Sequence, residues 1–87
     1  MKGEIKVKIY IAQVETKKNI ITSAWSTRDK AIIACYELIA ECIQDARKEK
    51  NEELAMQIYN FGILLGEEFQ KGNEGLEGVR VFSLEIN

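Results

Sequence analysis

The sequence contains no histidine and no proline, and these two absences already limit the functions and folds open to it. Histidine is the usual general base, the commonest metal ligand and the usual pH switch, so any acid–base chemistry would fall to other side chains. We therefore expect a protein that is not an enzyme and that holds no metal and no cofactor. Because proline is missing, no residue firmly marks a break between residues 27 and 71.

Cysteine is scarce: only Cys35 and Cys42 are present, in a segment whose pattern predicts a helix. Seven helical residues separate their α-carbons by about 10.5 Å, which exceeds the reach of a disulfide. Two thiols also do not complete a zinc site. We expect both to be small buried side chains in a reducing compartment.

Long apolar runs are missing as well. The first residues alternate charged and apolar side chains, whereas a signal peptide has a continuous apolar core. No apolar run approaches the roughly 20 residues of a membrane span. These features predict a soluble cytoplasmic protein without a membrane partner.

The 87 residues predict a single domain, 1–87, and the hydrophobic content of 46% is ordinary for a globular protein. The net charge of −2 is unevenly distributed. Residues 1–30 hold seven basic and three acidic side chains, a net charge of +4, and residues 31–87 hold five and eleven, a net charge of −6. A partner would therefore contact a basic N-terminal segment, residues 1–30, and an acidic segment, residues 31–87.

Residues 4–15 alternate between apolar and other side chains, which predicts a strand with one buried face. The buried set is expected to be Ile5, Val7, Ile9 and Ile11, and the opposite set Lys6, Lys8, Tyr10 and Ala12. Residues 20–25 are again typical of a strand. The polar residues 16–19 between the two segments predict a β-hairpin.

The spacing of apolar residues then changes to three and four, which predicts helix. Ser26 and Asp29 form a capping box at its start, and Gly72 is a natural left-handed C-cap at its end. We favour a helical hairpin that turns near Lys50 and Asn51, with Asn51 as the second N-cap. One continuous helix over 27–71 stays open as the alternative. It would be about 67 Å long and would need a partner chain.

Residues 79–86 predict a last strand, with Phe82, Leu84 and Ile86 on one face. The glycine-rich residues 72–78 predict a connecting loop, because phosphate-binding loops lie between a strand and a helix and not in the reverse order. The expected fold is α+β in the order β-β-α-α-β, a three-stranded sheet packed on one face by two helices or one long helix. A helical hairpin should leave the last strand parallel to the first, and a single helix should leave it antiparallel.

Two glycines inside the second helical segment indicate a close helix–helix contact, since glycine weakens a helix by roughly 1 kcal/mol. The contact lies either within the chain or across a dimer. Exposed apolar residues elsewhere also favour self-association. The candidate interface residues are Ile33, Ala55, Tyr59, Gly62, Gly66, Val79 and Val81.

The basic hairpin supports an alternative, a small nucleic-acid-binding protein. Lysines beside an aromatic ring on an open sheet can bind single strands by charge and stacking. The candidate residues are Lys6, Lys8, Tyr10, Lys17 and Lys18. The acidic balance of the whole chain weighs against this reading.

The hairpin followed by Ala-Trp-Ser-Thr-Arg-Asp-Lys-Ala, residues 24–31, resembles a pattern in small phage and Gram-positive bacterial proteins. The closing segment Val-Arg-Val-Phe-Ser-Leu-Glu-Ile, residues 79–86, is similar to theirs. The resemblance implies an accessory protein of a mobile element. Those proteins have no assigned activity that could be carried over to this chain. Combined with the missing catalytic groups, it leads us to expect a non-catalytic interaction module, a homodimer that binds a host protein as an anti-defence factor.

Overall fold

A computed structural model describes residues 7–86. The fold is α+β, with two helices and a four-stranded antiparallel sheet in the order β2-β1-β4-β3. The sequence predicted three strands, and the fourth is a two-residue strand inside the predicted connecting loop. The elements are β1 (Val7–Glu15), β2 (Ile20–Trp25), α1 (Arg28–Lys48), α2 (Glu52–Gln70), β3 (Gly75–Leu76) and β4 (Val79–Ile86).

The helical hairpin is confirmed, and local chemistry explains where it turns. Lys50 adopts a left-handed conformation with φ of 60°, which ends α1. The side chain of Asn51 then accepts a hydrogen bond from the amide of Leu54 at 3.1 Å, as an N-cap does. The first cap lies one residue later than predicted: Thr27, not Ser26, accepts from the amide of Lys30.

The predicted direction of the last strand is wrong. β4 runs antiparallel to β1, with Val7 opposite Ile86 and Val14 opposite Val79, although the helices form a hairpin. The reversal comes from β3, which pairs with the start of β4 across a tight turn. Gly78 in this turn has a φ of +92°, which glycine adopts at little cost. The chain thus turns once more than the sequence pattern suggested.

The predicted buried face of β1 is also wrong. The helices cover the face that carries Ala12 and Val14, together with Val79 and Val81 on β4. These small side chains let α1 lie close to the sheet, where Cys35 and Ala31 are fully buried against it. Since side chains alternate along a strand, the isoleucines of β1 lie on the other face.

The molecule is elongated, because the helices and the sheet overlap over only part of their lengths. Its extents are 60 × 26 × 17 Å, and its radius of gyration is 15.3 Å, against about 12 Å for a compact chain of this length. The main core takes its helical residues from the start of α1 and the end of α2. Nearer the turn of the helical hairpin, Ala46 and Ala55 are the buried residues.

Arg28 joins the start of α1 to the end of α2. Its guanidinium donates to the backbone carbonyls of Phe69 and Asn73, both at 3.1 Å, and lies 5.7 Å from the centre of the Phe69 ring. A positive charge at the carboxyl end of a helix is favoured by the helix dipole. Sequence analysis assigned Arg28 no role, because nothing in its neighbourhood signals a contact 41 residues away.

Candidate interaction surfaces

One face of the sheet carries a continuous apolar surface that neither helix covers. We call it the open sheet face. Cross-strand pairs bring its side chains together, with Val7 opposite Ile86 and Ile9 opposite Leu84. Its members are Val7, Ile9, Ile11, Phe82, Leu84 and Ile86. Val7, Leu84 and Ile86 are 51%, 48% and 51% exposed, whereas Ile11 is buried among its neighbours.

The size of this face is informative. Together with Ile20 at its rim, 56% exposed, it presents on the order of 500 Å² of apolar surface, within the range of the largest patches on monomeric proteins. None of its six side chains is charged or polar. The sequence analysis missed this surface because it placed the isoleucines of β1 in the core. A signal was available: Tyr10, Ala12 and Val14 make the second face of β1 apolar too.

A second apolar surface lies on the side of α2 that faces away from its buried residues. We call it the outer stripe of α2. It consists of Met56, Tyr59, Ile63 and Leu64, which are 59%, 55%, 51% and 56% exposed. Met56, Tyr59 and Ile63 follow the spacing of three and four that aligns side chains on a helix. The outer stripe is thus separate from the open sheet face.

The small residues predicted for a close helix–helix contact make that contact within the chain. Ala55 is buried. A Cβ on Gly62 would lie 3.8 Å from the side chain of Ile39, and one on Gly66 would lie 2.7 Å from the hydroxyl of Tyr36. Both partners belong to α1. Gly66 therefore lets the two helices approach each other, whereas a Cβ on Gly62 would fit at an ordinary contact distance.

The other predicted interface residues divide into two groups. Ile33 on α1 is 57% exposed and Tyr59 belongs to the outer stripe, so both are accessible to a partner. Val79 and Val81 were expected on the exposed face of the last strand, and this is wrong. They are 5% and 3% exposed, because the helices pack on their face and leave Phe82 on the open one.

The residues proposed for nucleic-acid binding do not form one patch. Lys8 lies near one end of β1, and Lys17 and Lys18 lie beyond its other end, more than about 20 Å away along the strand. Tyr10 is half-buried against the core, with the Lys8 ammonium 6.0 Å from its ring centre. Its ring is thus not a free stacking platform. Lys6 lies outside the described residues.

Other chemical features are modest. Among residues 7–86, no three side chains of the kinds that ligate metals lie close enough together to hold an ion. A groove of ≈ 160 Å³ lies beside β4, between Ser83 and the loop at Asn73, but Arg28 at its wall already donates to backbone carbonyls. None of the helices in the described part of the chain is long and apolar enough to cross a membrane.

The two thiols are free and differ in their surroundings. Burial raises the pKa of the Cys35 thiol to about 11. The pKa of the half-buried Cys42 is also raised, first by burial and then by the nearby carboxylates of Asp45 and Glu41. Because the thiolate is the reactive form, both positions disfavour redox or nucleophilic chemistry at neutral pH.

We expect a thiol reagent such as DTNB at pH 8 to modify Cys42 slowly in the native protein and to leave Cys35 unmodified. The rate at Cys42 should rise with pH, since its raised pKa leaves little thiolate at pH 8. Absorbance of the released chromophore measures both. Cys42→Ser should leave a native protein that is almost unreactive, and denaturant should expose two thiols in the wild type. Rapid modification of both in the native state would contradict the burial of Cys35.

Comparison with protein-family models, with curated proteins and with solved structures found no match to this chain.

Proposed function

We propose that the protein is a non-catalytic interaction module that forms a homodimer through its open sheet face. The observation that carries this proposal is the uncovered apolar ladder of β1 and β4. Water contact with that much aliphatic surface costs about 25 cal/mol per Å², so covering it is strongly favourable. A second copy brings an identical face, on which the nearest charge is the Arg80 guanidinium, 5.2 Å from the centre of the Phe82 ring.

The area is enough for a dimer with a small specific interface. Two open sheet faces packed together would bury about 1,000 Å² of apolar surface, the lower bound for a specific interface. Polar residues at the rim, including Gln13, Thr22 and Arg80, would add to this. Sheets pack face to face about 10 Å apart with their strands within about 30° of each other. With a two-fold axis through this contact, the open sheet face of each copy would be covered by that of the other.

Leu84→Glu should convert the dimer to a monomer. It places a charge at the centre of the proposed contact in both copies, and burying an unpaired carboxylate costs several kcal/mol. We expect the dissociation constant to rise on the order of 100-fold or more. Light scattering after size exclusion measures this directly, since the wild type should show twice the 9.9 kDa mass of one chain.

Ser83→Glu is the matched control, because it adds the same charge at the next residue of β4 but on the opposite face. It should stay dimeric. Circular dichroism should show both variants folded, since Ser83 and Leu84 are exposed. A wild type that is monomeric at millimolar concentration, or equal dissociation of the two variants, would refute the proposed dimer.

The wider role that we propose is that of a mobile-element accessory protein that acts by occupying the surface of a host protein. Its support is the resemblance of residues 24–31 and 79–86 to small phage proteins, together with exposed apolar surface beyond that needed for a dimer. A pull-down from the native host with mass spectrometry would test it. Recovery of no host protein above the level of a Leu84→Glu, Ile63→Asp double variant would refute it.

A further inference from the structure

The outer stripe of α2 stands between two groups of acidic residues. Glu52 and Glu53 precede it and Glu67 follows it, and all three are exposed. The helix holds four glutamates and no lysine or arginine. The fourth, Glu68, already accepts hydrogen bonds from the side chains of Asn73 and Lys71, and these bonds lower its pKa. The stripe is therefore an apolar surface in a negative field.

Three of these glutamates are free to meet a partner. Within residues 7–86, the ion pairs of the structure involve Glu68 and Glu74, not Glu52, Glu53 or Glu67. Basic residues at 47, 48 and 50 precede α2 at the turn, Lys71 follows α2, and Arg28 and Lys30 lie at the start of α1. The negative charge beside the stripe is thus available for an outside cation.

A second copy is a poor occupant of this surface. Two α2 helices packed antiparallel would place Glu52 and Glu53 near the partner's Glu67, and packed parallel they would place like residues together. Either arrangement opposes carboxylates without a basic residue of α2 between them, which is repulsive. The open sheet face has no such conflict.

We propose that the outer stripe of α2 binds an amphipathic helix that carries basic residues on either side of its apolar face. Met56, Tyr59 and Ile63 would pack against leucine-like side chains of the partner, in the way that helices dock by residues three and four apart. Tyr59 supplies the aromatic anchor that such interfaces favour, and Met56 adapts to the partner's shape.

The spacing of the charges sets the length of the partner. Glu53 and Glu67 are fourteen positions apart in α2, which is about 21 Å along the helix axis. A partner helix of about five turns, with lysine or arginine in its first and last turns, would reach both ends. This site lies apart from the proposed dimer contact, so the dimer proposal and the helix-binding proposal can be refuted independently.

The test uses two fluorescein-labelled 18-residue peptides with leucines at helical spacing. One has lysines in its first and last turns, and its twin has glutamates there. Fluorescence anisotropy with the full-length protein should show the lysine peptide binding at least about 10-fold more tightly. The difference should shrink in high salt, because exposed charges are screened. The same result is expected for the Leu84→Glu variant, which keeps the outer stripe whether or not the chain dimerises.

Ile63→Asp should weaken binding of the lysine peptide at least about 10-fold, since it places a charge inside the apolar contact. Gln57→Asp is the matched control: it adds the same charge to α2 beside the stripe and should preserve or tighten binding. Three outcomes would overturn the proposal: equal binding of the two peptides, no binding of the lysine peptide at about 1 mM, or loss of the dimer in Ile63→Asp. The last would make the stripe a self-association surface.

Discussion

Leu65→Ala is expected to destabilise the protein by about 3–5 kcal/mol, the range for removing a fully buried leucine. Leu65 is 0% exposed and lies in the core that joins α2 to α1 and the sheet. Its loss removes buried apolar surface and leaves a cavity that the helices only partly fill. A chain of this length has a total stability of roughly 4–13 kcal/mol, so the loss is a large fraction of it.

Urea titration followed by the fluorescence of Trp25, the single tryptophan, measures this loss. Leu64→Ala is the matched control, since it removes the same atoms from the neighbouring residue, which is 56% exposed. It should cost less than about 0.5 kcal/mol. Both variants must be compared at one protein concentration, because dimerisation would add to the apparent stability. Equal losses would show that α2 does not pack on its Leu65 side.

The helices could be predicted well because their signals are local. Asn51 caps α2 and Gly72 follows its end in a left-handed conformation, as the residue types alone suggest. The strands could also be located, since β2 and β4 have the predicted limits. The predictions that failed, the buried face of β1 and the direction of β4, depend on contacts between residues that are far apart in the sequence. Capping and periodicity do not reveal which face of a strand the helices will cover.

The wrong face of β1 shows the physical limit of a pattern argument. Hydrophobicity favoured burying the isoleucines, but close packing of α1 on the sheet favours small residues such as Ala12 and Val14. Both faces of β1 are apolar, so alternation alone does not choose between them. The same ambiguity hid the open sheet face. For the same reason, Val79 and Val81 were wrongly predicted to be exposed interface residues. Ile33 and Tyr59, which were also predicted, are on the surface.

The wrong direction of β4 has a different cause, a reversal contained in four residues. β3 spans only Gly75–Leu76, and a two-residue strand leaves no periodic pattern. Its signal is conformational: Gly75 and Gly78 have φ values of +136° and +92°. A sequence shows the glycines but not which of them the backbone requires. That requirement can be measured.

Gly75→Ala is expected to destabilise the protein by about 2–4 kcal/mol, through two effects that add. A φ of +136° strains any residue with a side chain, at about 1–3 kcal/mol. A Cβ on Gly75 would also overlap the backbone carbonyl oxygen of Val79, which precedes the cross-strand partner of Gly75, Arg80. Because that oxygen belongs to the backbone of a core residue, the turn itself must open to make room.

Two other glycine variants separate these effects, and chemical denaturation measures all three. Gly78→Ala carries the strain of a positive φ but meets no atom within 4 Å, so it should cost about 1–2 kcal/mol. Gly62→Ala meets Ile39 at an ordinary contact distance inside a helix and should stabilise by up to about 1 kcal/mol. The order Gly62, Gly78, Gly75 then follows from steric contact and backbone strain alone. If Gly75→Ala cost no more than Gly78→Ala, the close approach of β3 to Val79 would be wrong, and with it the reversal that makes β4 antiparallel to β1.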